Sequence, residues 1–197
     1  MNRKIRRNLK FLKDYYKIIK LSFVKAQYNG KVFCIGFNKT GTTSLGKSLE
    51  LLGYNNASFN RIVWNRYYRK NQIDKVLKYT AKFQSLDDLP WLKEDMIPIL
   101  DKSFPNSKFI YLTRDEESWK KSLYKWSYNR FGEHADIDNG LMEYRAHTKF
   151  VLNYFKDRSE KEFITLDIRD PKGFKKLATF LGKTSIGDSF PHFNKSN

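Results

Sequence analysis

Gly36-Phe37-Asn38-Lys39-Thr40-Gly41-Thr42-Thr43-Ser44 decides how this chain folds. The apolar run Val32-Phe33-Cys34-Ile35 precedes it, and a helical pattern over 42–52, closed by Gly53, follows it. The order reads as strand, tight loop, helix, with a lysine and several hydroxyls where the helix begins. A helix N-terminus carries unpaired N–H groups and the positive end of a dipole, so it suits a bound phosphate or sulfate. Gly36 and Gly41 let the backbone approach such an anion closely.

The glycine spacing is that of the nucleotide-hydrolysing P-loop, Gly-x-x-x-x-Gly-Lys-Ser/Thr, but the lysine is displaced. Lys39 stands two residues before Gly41, and Thr42-Thr43 fill the usual Lys-Ser/Thr place. A second segment supports the first. Residues 108–113 form a buried-strand pattern with Arg114 at its end. A helix follows, with Asp115 as the expected N-cap and Trp119, Leu123 and Trp126 as its expected apolar stripe. Ser122 lies eight residues beyond Arg114. Two helical turns span roughly 10 Å, so a long arginine and a serine hydroxyl can hold one phosphate between them.

Lys39-Thr40-Gly41-Thr42-Thr43 resembles the 5′-phosphosulfate loop of sulfotransferases that use 3′-phosphoadenosine 5′-phosphosulfate. Arg114 and Ser122 match the spacing at which such enzymes hold the 3′-phosphate. Tyr144, Val151, Tyr154 and Phe155, then 163–167, 174–182 and Phe190-Pro191-His192, are similar to a family of small, mostly bacterial sulfotransferases. The likeness covers residues 31–194. It implies an α/β fold with a mostly parallel sheet flanked by helices, the P-loop-containing nucleotide-binding architecture of sulfotransferases. It also implies transfer of a sulfuryl group to an acceptor hydroxyl or amine, a glycan being one class, with adenosine 3′,5′-bisphosphate as product. Lys39 then faces the bridging oxygen, where charge grows as the S–O bond breaks. Thr40, Gly41, Thr42, Thr43 and Ser44 supply donors to the 5′-phosphate and sulfate. Many relatives carry tryptophan where Ser44 stands, so adenine stacking has to come from elsewhere. The sulfuryl group is less charged than a γ-phosphoryl group, and no metal is expected; the sequence has no metal-ligand cluster.

A base should take the acceptor proton. Many cytosolic sulfotransferases place a histidine just before Leu-Pro; here Asp88 precedes Leu89-Pro90. Asp88 is the candidate and Asp87 the reserve. An aspartate's ordinary pKa is about 3.9, so burial would have to raise it. The alternative is that Asp88 caps the following helix. His134, in a glycine-bounded loop, and His147, on a helix, are weaker alternatives. His192 and Lys195 could reach the cofactor from the chain end.

The chain has 197 residues and reads as a basic amphipathic helix over 1–26 and one domain over 27–197. Beyond the first strand, 31–35, further strands are expected at 82–85, 108–113 and 162–167. Helices are expected at 90–103, 115–129, 141–156 and 172–181, and a mixed helical segment at 60–79. Strands alternating with helices imply a sheet covered on both faces. Cys34 has no partner for an internal disulfide, and no run approaches the roughly 20 apolar residues of a membrane span. The expected location is cytoplasmic.

Residues 1–25 hold nine Lys/Arg against one acid, with Leu9, Leu12, Tyr16, Ile19 and Phe23 at helical spacing. The favoured role for this stripe is packing on the domain; peripheral contact with an anionic membrane is the other. The net charge of +17 draws anionic ligands. Two rival functions follow from these features, a P-loop kinase or other phosphotransferase and a basic nucleic-acid-binding module. The displaced lysine weighs against the first and the absence of a nucleic-acid-binding signature against the second, so no nucleic-acid partner is expected.

Overall fold

The computed structural model describes residues 3–21, 24–159 and 162–191. Helix α1 (Arg3–Leu21) precedes β1 (Val32–Cys34), α2 (Thr42–Leu51) and β2 (Asn56–Ala57). A π-helical turn, Val63–Tyr67, and a 3-10 turn, Tyr68–Lys70, lead into α3 (Ile73–Thr80) and β3 (Ser85–Leu86). Then come α4 (Met96–Ser103), β4 (Lys108–Thr113), α5 (Glu116–Phe131), α6 (Ile137–Tyr154), β5 (Phe163–Asp167) and α7 (Gly173–Phe180). The five strands form one sheet in the order β2-β3-β1-β4-β5. Every neighbouring pair is parallel.

Successive side chains of a strand point to opposite faces. Phe33, Ile35, Phe109 and Tyr111 accordingly join one core, with Val76, Met96, Leu100 and Val151 from α3, α4 and α6. Val32, Cys34, Ile110 and Leu112 join the other, with Leu45 and Leu49 from α2 and Phe174 and Leu177 from α7. Two covered faces explain the unbroken apolar runs at 32–35 and 109–112. From β1 the chain steps to β2 and β3 on one side, then crosses to β4 on the other. The carboxyl ends of β3, β1 and β4 therefore lie side by side, where a crevice opens at the reversal of strand order.

The structure differs from the sequence expectations at five elements. The strand expected at 82–85 is Ser85–Leu86, and its neighbour Asn56–Ala57 has no counterpart among the expected strands, because two-residue strands show no period. The helix expected from 90 begins at Met96. A helix begun at 90 would carry Pro98 in its interior, whereas a start at Met96 keeps Pro98 in the first turn, and turns and a bend fill 90–95. Helix α6 begins at Ile137, where Asp136 accepts a hydrogen bond from the Asn139 N–H at 3.0 Å, so the polar loop is shorter than expected. Finally, α1 does not pack through the stripe that its spacing singles out. Leu9, Leu12, Tyr16 and Ile19 are exposed, while Leu21 enters the core with Ile18 against it. Phe23 lies outside the described residues.

Candidate active site

The loop between β1 and α2 is held by the body of the protein and by one bond of its own. A Cβ on Gly36 would lie 2.7 Å from Leu112 Cβ and 2.9 Å from its backbone nitrogen, so only glycine leaves β1 this close to β4. The Phe37 ring sits among Trp119, Tyr144 and His147. The Asn38 carbonyl accepts from Trp119 Nε1 at 2.8 Å. Lys39 takes a left-handed backbone, φ +67°, and its carbonyl accepts from Arg114 Nη1 at 2.9 Å. Thr40 is buried, and its hydroxyl donates to the Phe37 carbonyl at 2.6 Å. Gly41, at φ +110°, lies so close to Ile168 that a Cβ would sit 2.3 Å from its Cδ1.

The carbonyls of Phe37, Asn38 and Lys39 are thus each engaged by a donor. Leu45 N–H bonds the Gly41 carbonyl at 3.1 Å, which leaves the amides of Thr42, Thr43 and Ser44 ahead of the helical ladder. No side chain caps α2. The result is an open helix N-terminus next to a lysine, suited to an anion. The Thr40 hydroxyl, expected as an anion donor, is instead spent inside the loop.

Two cations meet at this loop. Arg114 is clamped at its backbone by Tyr144, whose Oη accepts from the Arg114 N–H at 3.2 Å and donates to the Arg114 carbonyl at 2.7 Å. The Arg114 Nε is buried and has no hydrogen-bond partner among the described residues. Burial, and next the nearby Arg169, hold the guanidinium pKa below its ordinary value. Arg169 itself is paired with Asp115 and Asp167. Burial lowers the Lys39 pKa to about 8; Arg114 pushes the same way and Asp88 opposes it.

The Lys39 ammonium stands 4.7 Å from the centre of the Trp126 ring. Trp126 is a correction: its spacing puts it in the apolar stripe of α5, but it is 42% exposed, beyond the buried Trp119 and Leu123. The stripe outruns the core and its last member reaches Lys39. Ser122 is half-buried on the same helix as Trp126. Asp115 caps α5 as expected, accepting from the Ser118 N–H at 2.8 Å.

The two aspartates after β3 differ. Asp87 is 1% exposed. It accepts from Ser58 Oγ at 2.6 Å and from Asn56 Nδ2 at 2.7 Å. Gly46 of α2 makes room for it, since a Cβ there would lie 2.3 Å from Asp87 Oδ2. Asp87 therefore ties β2, β3 and α2 together, and burial pushes its pKa up to about 6. Asp88 has a left-handed backbone, φ +68°, and accepts from the Leu89 N–H at 2.7 Å. Burial raises its pKa, while the Leu89 N–H and the Lys39 charge hold it back. It caps no helix, because α4 begins eight residues later at Met96.

The histidines lie elsewhere. His147 is buried behind the loop, where Nε2 donates to the Ile35 carbonyl at 2.8 Å. His134 stacks on Tyr124 and Tyr128 toward the far end of α5. His192 and Lys195 lie outside the described residues. A cleft of about 320 Å³ between Pro98, Asp101, Phe109, Tyr154 and Arg158 opens at the amino end of β4, away from Lys39. Among the described residues no group of His, Cys, Asp and Glu could hold a metal, and no helix is long and apolar enough to cross a membrane.

Sequence reasoning gives no site role to Tyr144, Trp126, Asn56 or Ser58, and reads Trp119 as core alone. The signal available for Trp119 and Tyr144 is chemical, since a buried indole N–H or phenol needs a polar partner. Those partners are backbone atoms of the loop and of Arg114.

The profile of a family described as "Sulfotransferase domain" matches residues 31–135. In fold, the chain is similar to a sulfotransferase from Mycobacterium avium, with a TM-score of 0.54 and 12% identity over 90% of this chain and 69% of that one. It is also similar to a sulfotransferase from Alicyclobacillus acidocaldarius, with a TM-score of 0.53 and 15% identity over 85% of this chain and 86% of that one. A gluconokinase from Sinorhizobium meliloti aligns over 79% of this chain and 93% of its own at 15% identity, with a TM-score of 0.48 that bears on nothing further. No curated protein matches the chain in sequence.

Proposed function

This chain belongs to the sulfotransferase domain family, and from that premise we propose that it moves a sulfuryl group from 3′-phosphoadenosine 5′-phosphosulfate to an acceptor hydroxyl or amine, with carbohydrate among the acceptor classes. One observation carries the reading: Arg114 Nη1 bonds the Lys39 carbonyl at 2.9 Å, so the anion loop and the strand-end arginine share one crevice. The donor nucleotide has an anion at each end, and the crevice offers a cation for each.

The residues fit that donor. The buried Arg114 Nε, unpartnered among the described residues, asks for an acceptor such as a phosphate oxygen, because an unmade hydrogen bond at a buried cation is costly. Arg114 and Ser122 would hold the 3′-phosphate. The amides of Gly41, Thr42, Thr43 and Ser44 would hold the 5′-phosphate and sulfate at the start of α2. Thr40 would shape the loop rather than donate through its hydroxyl.

The donor supplies an activated sulfuryl group. Lys39 would stabilise the negative charge that develops on the bridging oxygen, an interaction stronger in the transition state than in the ground state. Burial favours this by excluding water around the ammonium. Asp88 would accept the acceptor's proton, and a carboxylate raised by burial suits that task better than an exposed one. Asp87, bonded on both oxygens, would hold the scaffold.

Adenosine 3′,5′-bisphosphate should bind without metal, and labelled phosphosulfate donor should label an acceptor within a panel of glycans, phenols, alcohols and amines. Magnesium-dependent ATP binding in its place would favour phosphoryl transfer. Asp88→Asn should keep bisphosphate binding and stop transfer; persisting turnover would remove Asp88 as the base.

A further inference from the structure

We propose that α1 docks the protein on an anionic lipid bilayer through its outward stripe Leu9, Leu12, Tyr16 and Ile19. The spacing 9, 12, 16, 19 puts these residues on one helix face. They are 45%, 60%, 61% and 49% exposed. The helix is seated by its other side. Leu21 is buried in the core and Ile18 packs against it. The Arg66 guanidinium lies 5.2 Å from the centre of the Phe11 ring, and Asp14 accepts from the Arg61 N–H at 3.4 Å. The outward stripe is therefore held outward by contacts on the opposite face.

Charge selects the occupant. Residues 1–25 carry nine Lys/Arg, and Asp14, their one acid, is turned toward Arg61 on the domain. Lys13 is exposed on the helix, and Arg66, Arg69 and Lys70 are exposed on the segment beside it. An apolar stripe on so basic a segment matches a bilayer, whose surface is anionic and whose interior is apolar. A second copy of the chain would set the same cations against each other. A nucleic acid would engage the cations and leave the apolar stripe in water.

The test is co-sedimentation of the full chain with phosphatidylcholine vesicles and with vesicles that also contain phosphatidylserine. Binding should require phosphatidylserine and weaken at high salt. The double substitution Leu12→Glu with Ile19→Glu should weaken it at least ~tenfold, since burial of both side chains is lost. Lys13→Glu should weaken it roughly fivefold or more. Circular dichroism, melting and adenosine 3′,5′-bisphosphate binding should not change, because the altered side chains are exposed and outside the crevice. Failure to bind the mixed vesicles, or equal binding by the double variant, overturns the proposal. So does a double variant whose change is in oligomeric state or oligonucleotide binding and not in vesicle binding.

Discussion

A lysine stands at each end of β1, and burial lowers the pKa of both to about 8. Their surroundings differ. Lys31, at the amino end, is 1% exposed and gives its ammonium to the Ala81 and Phe83 carbonyls, with the Phe104 ring nearby. Lys39, at the carboxyl end, has Arg114 and the Trp126 face for neighbours, and no hydrogen-bond acceptor among the described residues reaches its ammonium. A buried cation whose donors are satisfied by carbonyls is committed to the fold. A half-buried one beside another cation keeps its donors for a ligand. Burial alone therefore does not mark a functional lysine; the pairing of its donors does.

Within this contrast the largest effect should come from Lys39→Ala, which should lower kcat for sulfuryl transfer by ~10²–10³ or more, as for loss of one transition-state donor. Its thermal midpoint should stay near that of the parent. Retained turnover in a steady-state assay would make the two lysines alike and break the contrast.

Arg114→Ala should come next. Loss of one charged hydrogen-bond partner is expected to weaken adenosine 3′,5′-bisphosphate binding by roughly ten- to a hundredfold in calorimetric titration. It also frees the Lys39 carbonyl, so kcat should fall as well.

The pH profile sharpens the comparison without mutation. The Lys39 cation is lost as pH rises through about 8, so kcat/KM for the donor should fall roughly tenfold per pH unit above that value. A bound anion restores the cation, and kcat should therefore hold to higher pH. The two lysines do not themselves add unfolding to the decline. Both lysines have folded pKa values below their unfolded ones, so above pH 8 the unfolded chain binds more protons and their contribution to stability rises with pH.

The smallest effect on transfer should come from Lys31→Ala. It should leave the rate per folded molecule unchanged while lowering stability by about 2–4 kcal/mol in urea titration. The loss reflects two unpaired carbonyls and the space left by the side chain.

Much of the crevice is legible in the amino-acid sequence. Gly36, Lys39 and Gly41 declare a strand-loop-helix turn, and Arg114 declares itself at a strand end, because spacing within one element is a local property. Residues 108–113 are β4 with no shift, since a strand buried on both faces reads as an apolar run. Asp88 is ambiguous in sequence between base and cap, and the left-handed backbone there, with α4 starting only at Met96, removes the second role. Trp126 reads wrongly as core because a helical stripe shows which side chains share a face, not where the core ends. The same limit applies to α1, which has apolar residues on two faces.

By itself the sequence determined the alternation of helices and strands that demands a parallel sheet, and the glycine-spaced loop between β1 and α2, because period and spacing act through neighbours along the chain. Only the tertiary structure decided which polar atoms hold the loop carbonyls, that Asp87 braces while Asp88 feels the Lys39 charge, and which stripe of α1 meets the solvent. Those outcomes depend on groups far apart in the chain, and their meeting is set by the strand order β2-β3-β1-β4-β5.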